Sequence, residues 1–128
     1  MARNGVEVQT AAVARSELYR LVEGCFANAD YLVTPTLAAA SVPHGTDTHS
    51  DIMINGVNCG RIRAGWYAYT FPFNLSGHPA LTMPCGWTRN GLPIGLQIVG
   101  RWYDEAGILN LADRLSEALG VEERISRF

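Results

Sequence analysis

The chain has no lysine; its ten basic residues are all arginine. A mechanism in which a lysine amine takes up a proton is therefore excluded from this sequence. Arginine does not replace it, because a guanidinium is effectively never deprotonated in a protein. Charge is sparse in general, at 17% against 48% hydrophobic residues, a globular composition at the apolar end that excludes a disordered tail. A net charge of −2 gives no general attraction to nucleic acid or to an anionic membrane. No apolar run approaches the roughly 18 residues of a membrane span, and the N-terminus has no signal-peptide pattern. A cytoplasmic location is expected. The cysteines, Cys25, Cys59 and Cys85, are odd in number and lack CxxC spacing, so they read as free thiols in a reducing compartment. Cys59, His44 and His49 fall at no zinc-ligand spacing. No metal or cofactor is expected.

What the sequence does have is a hairpin between Phe71 and Gly100. Asn90-Gly91 offers the two positive-φ residues of a type I′ turn, with extended apolar runs on either side. Counting outward predicts the pairs Arg89 with Leu92, Thr88 with Pro93, Trp87 with Ile94, Cys85 with Leu96 and Met83 with Ile98. Trp87, Cys85, Met83, Ile94, Leu96 and Ile98 then share a core face. Thr82, Pro84, Gly86, Thr88, Pro93, Gly95 and Gln97 form the other, small face, suited to close approach by a backbone or a ligand. Pro84 indicates a sheet edge or a bulge. As a core-facing strand residue, Cys85 is not read as a nucleophile, even with His78 upstream.

Taken in order, Val8 to Ala29 reads as a helix with Ala11, Ala14, Leu18, Leu21, Val22 and Cys25 at helical spacing and Thr10 as its cap. Arg15, Glu17, Arg20 and Glu23 lie off that stripe as a solvated face. Tyr31 to Thr34, stopped by Pro35, reads as a buried central strand. Thr36 to about Arg63 shows no sustained period and reads as loop, in which His44, Asp47, His49 and Asp51 are taken as solvated surface. Ala64 to Ser76 reads as a helix rich in aromatic residues and interrupted by Pro72. Its rings either form a core under the sheet or line an apolar pocket. Asn74, a short polar residue in an apolar run, is expected to hydrogen-bond loop backbone if buried. A last helix opens at Asp104, with Glu105 at its N-terminus, carries Ile108, Leu111, Ala112, Leu115 and Leu119 on one face, and stops at Gly120. Val121 to Phe128 is a mixed tail.

The ordered series Pro72-x-Asn74-x-x-Gly77-x-Pro79, Pro84-Cys85-Gly86, Gly91-Leu92-Pro93-x-Gly95-Leu96-Gln97 and Asp104-Glu105 resembles the C-terminal part of the amidase signature family of serine amidohydrolases. Arg15 and the run Asp30-Tyr31-Leu32-Val33-Thr34-Pro35-Thr36 extend the resemblance upstream, so that it covers about Gly5 to Gly120. Members of that family are several times longer. The resemblance implies an α/β fold, a mixed sheet flanked by helices, with residues 1–128 as the C-terminal portion of an amidase domain.

It also implies what this portion lacks. Enzymes of the family use a serine nucleophile, a second serine held by a cis peptide bond and a lysine base, because an unassisted serine hydroxyl is too weak a nucleophile at neutral pH. Ser16, Ser41, Ser50, Ser76, Ser116 and Ser126 are scattered, and none lies in a Gly/Ser-rich loop. No catalytic residue is assigned to this chain. Trp66, Tyr67, Phe71 and Asn74 are its substrate-pocket candidates. Glutamine-handling members of the family, found in the tRNA-dependent amidotransferases, carry an acidic residue where Tyr67 stands, a departure that argues against glutamine. The implied partners are the remainder of the amidase domain, or a second copy of this chain, and a small-molecule amide. The alternative is a catalytically inactive chain acting as a structural or interaction module.

Overall fold

The computed structural model describes residues 4–121. Its first element, helix α1 (Gly5–Cys25), is fixed at its start by local chemistry. The Asn4 side chain accepts from the Glu7 N–H at 2.9 Å, and the Glu7 carboxylate accepts from the Asn4 N–H, a capping box that satisfies two orphan donors. The helix thus begins before Val8 and is capped by Asn4; Thr10 lies within it and donates to the Val6 carbonyl. It ends at Cys25, short of Ala29, where Phe26 turns inward and is buried. Only the C-terminal half of the expected stripe is covered. Leu18 and Val22 pack on Phe26, Phe73 and Val99, whereas Leu21 and Cys25 are exposed and the first turns present Val6, Val8 and Val13 to solvent.

A three-stranded antiparallel sheet lies at the centre, with the order β1 (Leu32–Pro35), β5 (Pro93–Val99), β4 (Ala80–Trp87). Among the described residues β5 is the central strand. The stretch expected to be central, Tyr31 to Thr34, forms the edge strand β1, and its Val33 is half exposed. On one face Met83 and Ile98 pack with Ile108 and Ala112 of helix α4 (Glu105–Leu119). On the other, Val99 joins the cluster of α1 and of helix α3 (Phe71–Ser76). Burial of both faces of one strand explains why Ile98 and Val99 are adjacent and both fully enclosed. Arg101 closes the far end, its guanidinium over the Phe26 ring and donating to the carbonyls of Phe26 and Ala29.

The β4–β5 hairpin corrects the expected register. Gly91 has a positive φ of 82° and Asn90 does not, so the loop is Arg89-Asn90-Gly91. The Thr88 carbonyl accepts from the Gly91 N–H and the Thr88 hydroxyl from the Leu92 N–H, a type I turn followed by a left-handed glycine. Trp87 consequently faces Pro93 rather than Ile94, and Gly86 faces Ile94. A bulge at Pro84 to Gly86 adds another residue of shift, after which Met83 faces Leu96 and Leu81 faces Ile98. The two displacements sum to two residues, and a shift of two restores the original faces beyond the bulge. Met83, Leu96 and Ile98 therefore lie on the core face as expected, while Ile94 near the turn is exposed. Gln97, assigned to the small face, is buried there.

The stretch from Thr36 to Arg63 is not all loop. It contains a second hairpin, β2 (Asp51–Ile54) and β3 (Val57–Arg61), which runs straight into the short helix α2 (Ile62–Gly65). The helical stretch expected over Ala64 to Ser76 is split into α2 and α3. Pro72 lies in the first turn of α3, where a missing N–H costs nothing, so it opens a helix and does not break one. Asp104 stands at the N-cap of α4 and Gly120, with a φ of 61°, ends it. Val121 is buried, and the rest of the expected tail lies outside the described residues.

Candidate functional site

The linker between α2 and α3 is held over the sheet by a single buried amide. Gln97 donates from Nε2 to the Thr34 hydroxyl and to the Tyr69 carbonyl, both at 3.0 Å. The segment after β1 is fastened from two sides. The Thr36 N–H donates to the Gly95 carbonyl at 3.0 Å, and the Trp66 indole donates to the Ala39 carbonyl at 2.9 Å. Gly95 is required for the first contact, since a Cβ there would lie 2.7 Å from the Thr36 hydroxyl oxygen. The small face of the hairpin is thus approached by another backbone, Thr36 onward, and a cleft of about 540 Å³ remains between that segment and Thr82, Pro84 and Pro93.

On the other side of Thr36 and Leu37 is a cleft of about 480 Å³, which brings three of the four pocket candidates together. Tyr67 and Phe71 are tilted with ring centroids 6.4 Å apart and are 37% and 43% exposed, so each shows about half a ring to the opening. Asn74 lies beside them; it is exposed, so the hydrogen bond to loop backbone expected of a buried amide is not called for, and its side chain makes none to another described residue. Trp66 does not line this cleft. It packs behind Tyr67, with centroids 5.1 Å apart, and serves as a pin through its indole N–H. Thr48 and Arg63, at the two roots of the β2–β3 arm, complete the wall. Nothing in the local sequence pattern singles out Arg63.

Of the loop side chains, Asp47 and His49 bond each other, and the His49 backbone N–H at 2.9 Å holds the Asp47 carboxyl below the usual carboxylate range. Asp51 accepts from Asn58 on the facing strand. No group of His, Cys, Asp and Glu among the described residues is arranged to hold a metal ion. Cys85 is half buried.

A further cluster has no counterpart among the sequence-based expectations. The His78 side chain is fully enclosed, with Ser76 Oγ at 2.9 Å from Nδ1 and Glu23 Oε2 at 3.1 Å from Nε2. Tyr19 and Phe26 stack on the imidazole from 5.5 and 5.4 Å. The set resembles a Ser-His-acid relay in composition only. Ser76 is itself buried and donates back to the Phe73 carbonyl within its own helix, so the arrangement clasps α1 to the α3–β4 corner. Beside it Arg15 donates from Nε to the Leu75 carbonyl at 2.7 Å, a docking contact made by a residue assigned to a solvated face.

The family model described as Amidase matches residues 2–109. The chain belongs to the amidase family. Among curated relatives, a glutamyl-tRNA(Gln) amidotransferase subunit from Myxococcus xanthus is 61% identical over 44 residues, covering 34% of this chain and 9% of that protein. Its counterpart in Ehrlichia canis is 38% identical over 97 residues, covering 74% and 18%. Among solved structures, a bacterial aryl acylamidase of the amidase signature family superposes with a TM-score of 0.77 at 27% identity, covering 90% of this chain and 23% of that one. The 6-aminohexanoate cyclic dimer hydrolase does so with a TM-score of 0.60 at 32% identity, covering 82% and 22%. The α/β architecture is thus that of amidase signature enzymes, and the chain spans less than a fifth of each of these curated relatives. Among the described residues no helix is long and apolar enough to cross a membrane.

Proposed function

We propose that this chain is the C-terminal part of an amidase signature hydrolase whose complete form cleaves a carboxylic amide to an acid and ammonia or an amine. The observation that carries the reading is the superposition of 90% of the chain on less than a quarter of a larger aryl acylamidase. In this reading residues 1–128 supply sheet, core and one wall of the acyl pocket. Tyr67 and Phe71 give that wall its apolar faces and Asn74 a free amide able to orient a carbonyl, with Trp66 supporting them from behind. The nucleophile, the second serine and the lysine base come from a separate segment of the domain, which is the principal partner. The complete enzyme works in the cytoplasm and needs no cofactor, because a Ser-Lys pair activates its own nucleophile.

Names of the curated relatives favour a second reading, glutamine as the amide. Tyr67 weighs against it, since a phenol at that position offers no negative charge to the ammonium of an amino acid. The chain alone is expected to release no ammonia from acetamide, benzamide or glutamine. Turnover abolished by Cys85→Ala would make the thiol a nucleophile and overturn the division of labour proposed here. Turnover abolished by Ser76→Ala would do the same for the clasp around His78.

A further inference from the structure

The cleft between Thr36 and Phe71 has a charge that the amidase reading leaves unused. Arg63 lines it, no acidic side chain does, and the Arg63 guanidinium makes no ion pair or hydrogen bond with any described residue. The carboxylates of the preceding loop and of β2 are already engaged, Asp47 with His49 and Asp51 with Asn58. A fork of donors beside two half-open aromatic rings and a free amide is a set of groups that recognises a planar anion on an apolar body. The volume of about 480 Å³ is that of a small-molecule site.

We infer that Arg63 is a specificity residue that selects amides bearing a carboxylate and no ammonium group, the inference resting on the amide-hydrolase reading above. Arg63 binds the carboxylate bidentately, the carbon skeleton lies against the exposed sides of the Tyr67 and Phe71 rings, and Asn74 meets a polar group along it. A zwitterionic amino acid gains the same contact but brings an ammonium into a wall with no anion to receive it, so it is disfavoured relative to the simple anion.

The test uses the 128-residue chain and a pair of probes that differ in one group, 4-carbamoylbenzoate and its neutral diamide, terephthalamide, with glutamine as the zwitterion. Titration followed by NMR is expected to show 4-carbamoylbenzoate binding at least about tenfold more tightly than terephthalamide, with glutamine no better than the neutral probe. Arg63→Gln is expected to abolish that ratio. Arg63→Lys keeps part of it, because an ammonium keeps the charge and loses the fork. Arg89→Gln, a change in the exposed hairpin loop, leaves it intact. Equal affinities for the two probes, no saturable binding of either, or a ratio that survives Arg63→Gln would overturn the inference. Binding needs no turnover, so the two readings fail separately. An anion preference lost with Arg63 but no hydrolysis in the assembled enzyme would sink the amidase reading alone, and hydrolysis without the preference would sink only this one.

Discussion

Of the three Asn-Gly pairs in this chain, one starts α1 and the other two form different turns, with a single hydroxyl marking the difference. At 55–56 both residues have positive φ, 51° and 81°, and Ile54 pairs with Val57, the type I′ geometry. At 90–91 Thr88 offers both its carbonyl and its hydroxyl to the loop, and Asn90 leaves the left-handed region. Asn55→Ala is therefore expected to cost about 1 kcal/mol, because asparagine adopts left-handed backbone far more readily than alanine does, and Asn90→Ala distinctly less. Urea melts of the two variants check this, and equal losses would contradict the turn assignment. The dipeptide signal is present in both places. At the second it is flanked by long apolar runs and reads easily; at the first a turn-rich stretch with no sustained period hides strands only four or five residues long. Asp47 gives a second prediction at this scale. Its carboxyl is held low by the His49 N–H, so the contribution of this bond is complete above the ordinary carboxylate pKa and is lost as pH falls through the lowered value. NMR titration should find the Asp47 midpoint below that of an unstructured aspartate, and a midpoint at or above that value would mean the turn is open in solution.

At the scale of elements, the hairpin shows why faces are easier to read than pairs. Side-chain parity follows from alternation along one strand and survives any even shift, whereas pairing needs the loop length and the bulge, neither of which apolar periodicity encodes. Met83→Asp and Ile98→Asp are each expected to cost about 3 kcal/mol by placing a charge in the cluster under α4, and Thr88→Asp much less. Pairing is tested separately. A double-mutant cycle should give a coupling of at least about 0.5 kcal/mol between Met83 and Leu96, which face each other, and a smaller one between Met83 and Cys85. The helices divide in the same way. The stripe of α4 is legible as far as Leu115, because Ile108, Leu111, Ala112 and Leu115 pack in the cluster under the sheet while Leu119 is exposed, and that of α1 is only half right because its first turns are exposed. Of the site, Tyr67, Phe71 and Asn74 are legible as an aromatic stretch with one polar residue. Arg63 is not, since it stands in the short helix α2 at the end of a stretch that reads as loop.

The whole molecule has a two-sided core but an unbalanced outside. Val6 is 75% exposed and Val8 58% on a helix whose other half is well packed, and strands β1 and β4 each leave an edge unpaired among the described residues. Apolar exposure of this kind in a piece that matches less than a quarter of a larger hydrolase fits a surface made to be covered by the rest of the domain. The isolated chain is expected to self-associate in sedimentation as concentration rises. The measurement that bears most directly on the account is co-expression with an N-terminal amidase fragment that carries the Ser-Ser-Lys residues, followed by an assay of ammonia release. The two pieces should co-purify as a one-to-one complex that hydrolyses an amide, with turnover lost when the fragment's lysine is replaced. A chain that stays monomeric at high concentration, unfolds cooperatively and gives neither complex nor turnover would instead be a self-contained domain, and the assignment to an amide hydrolase would fall.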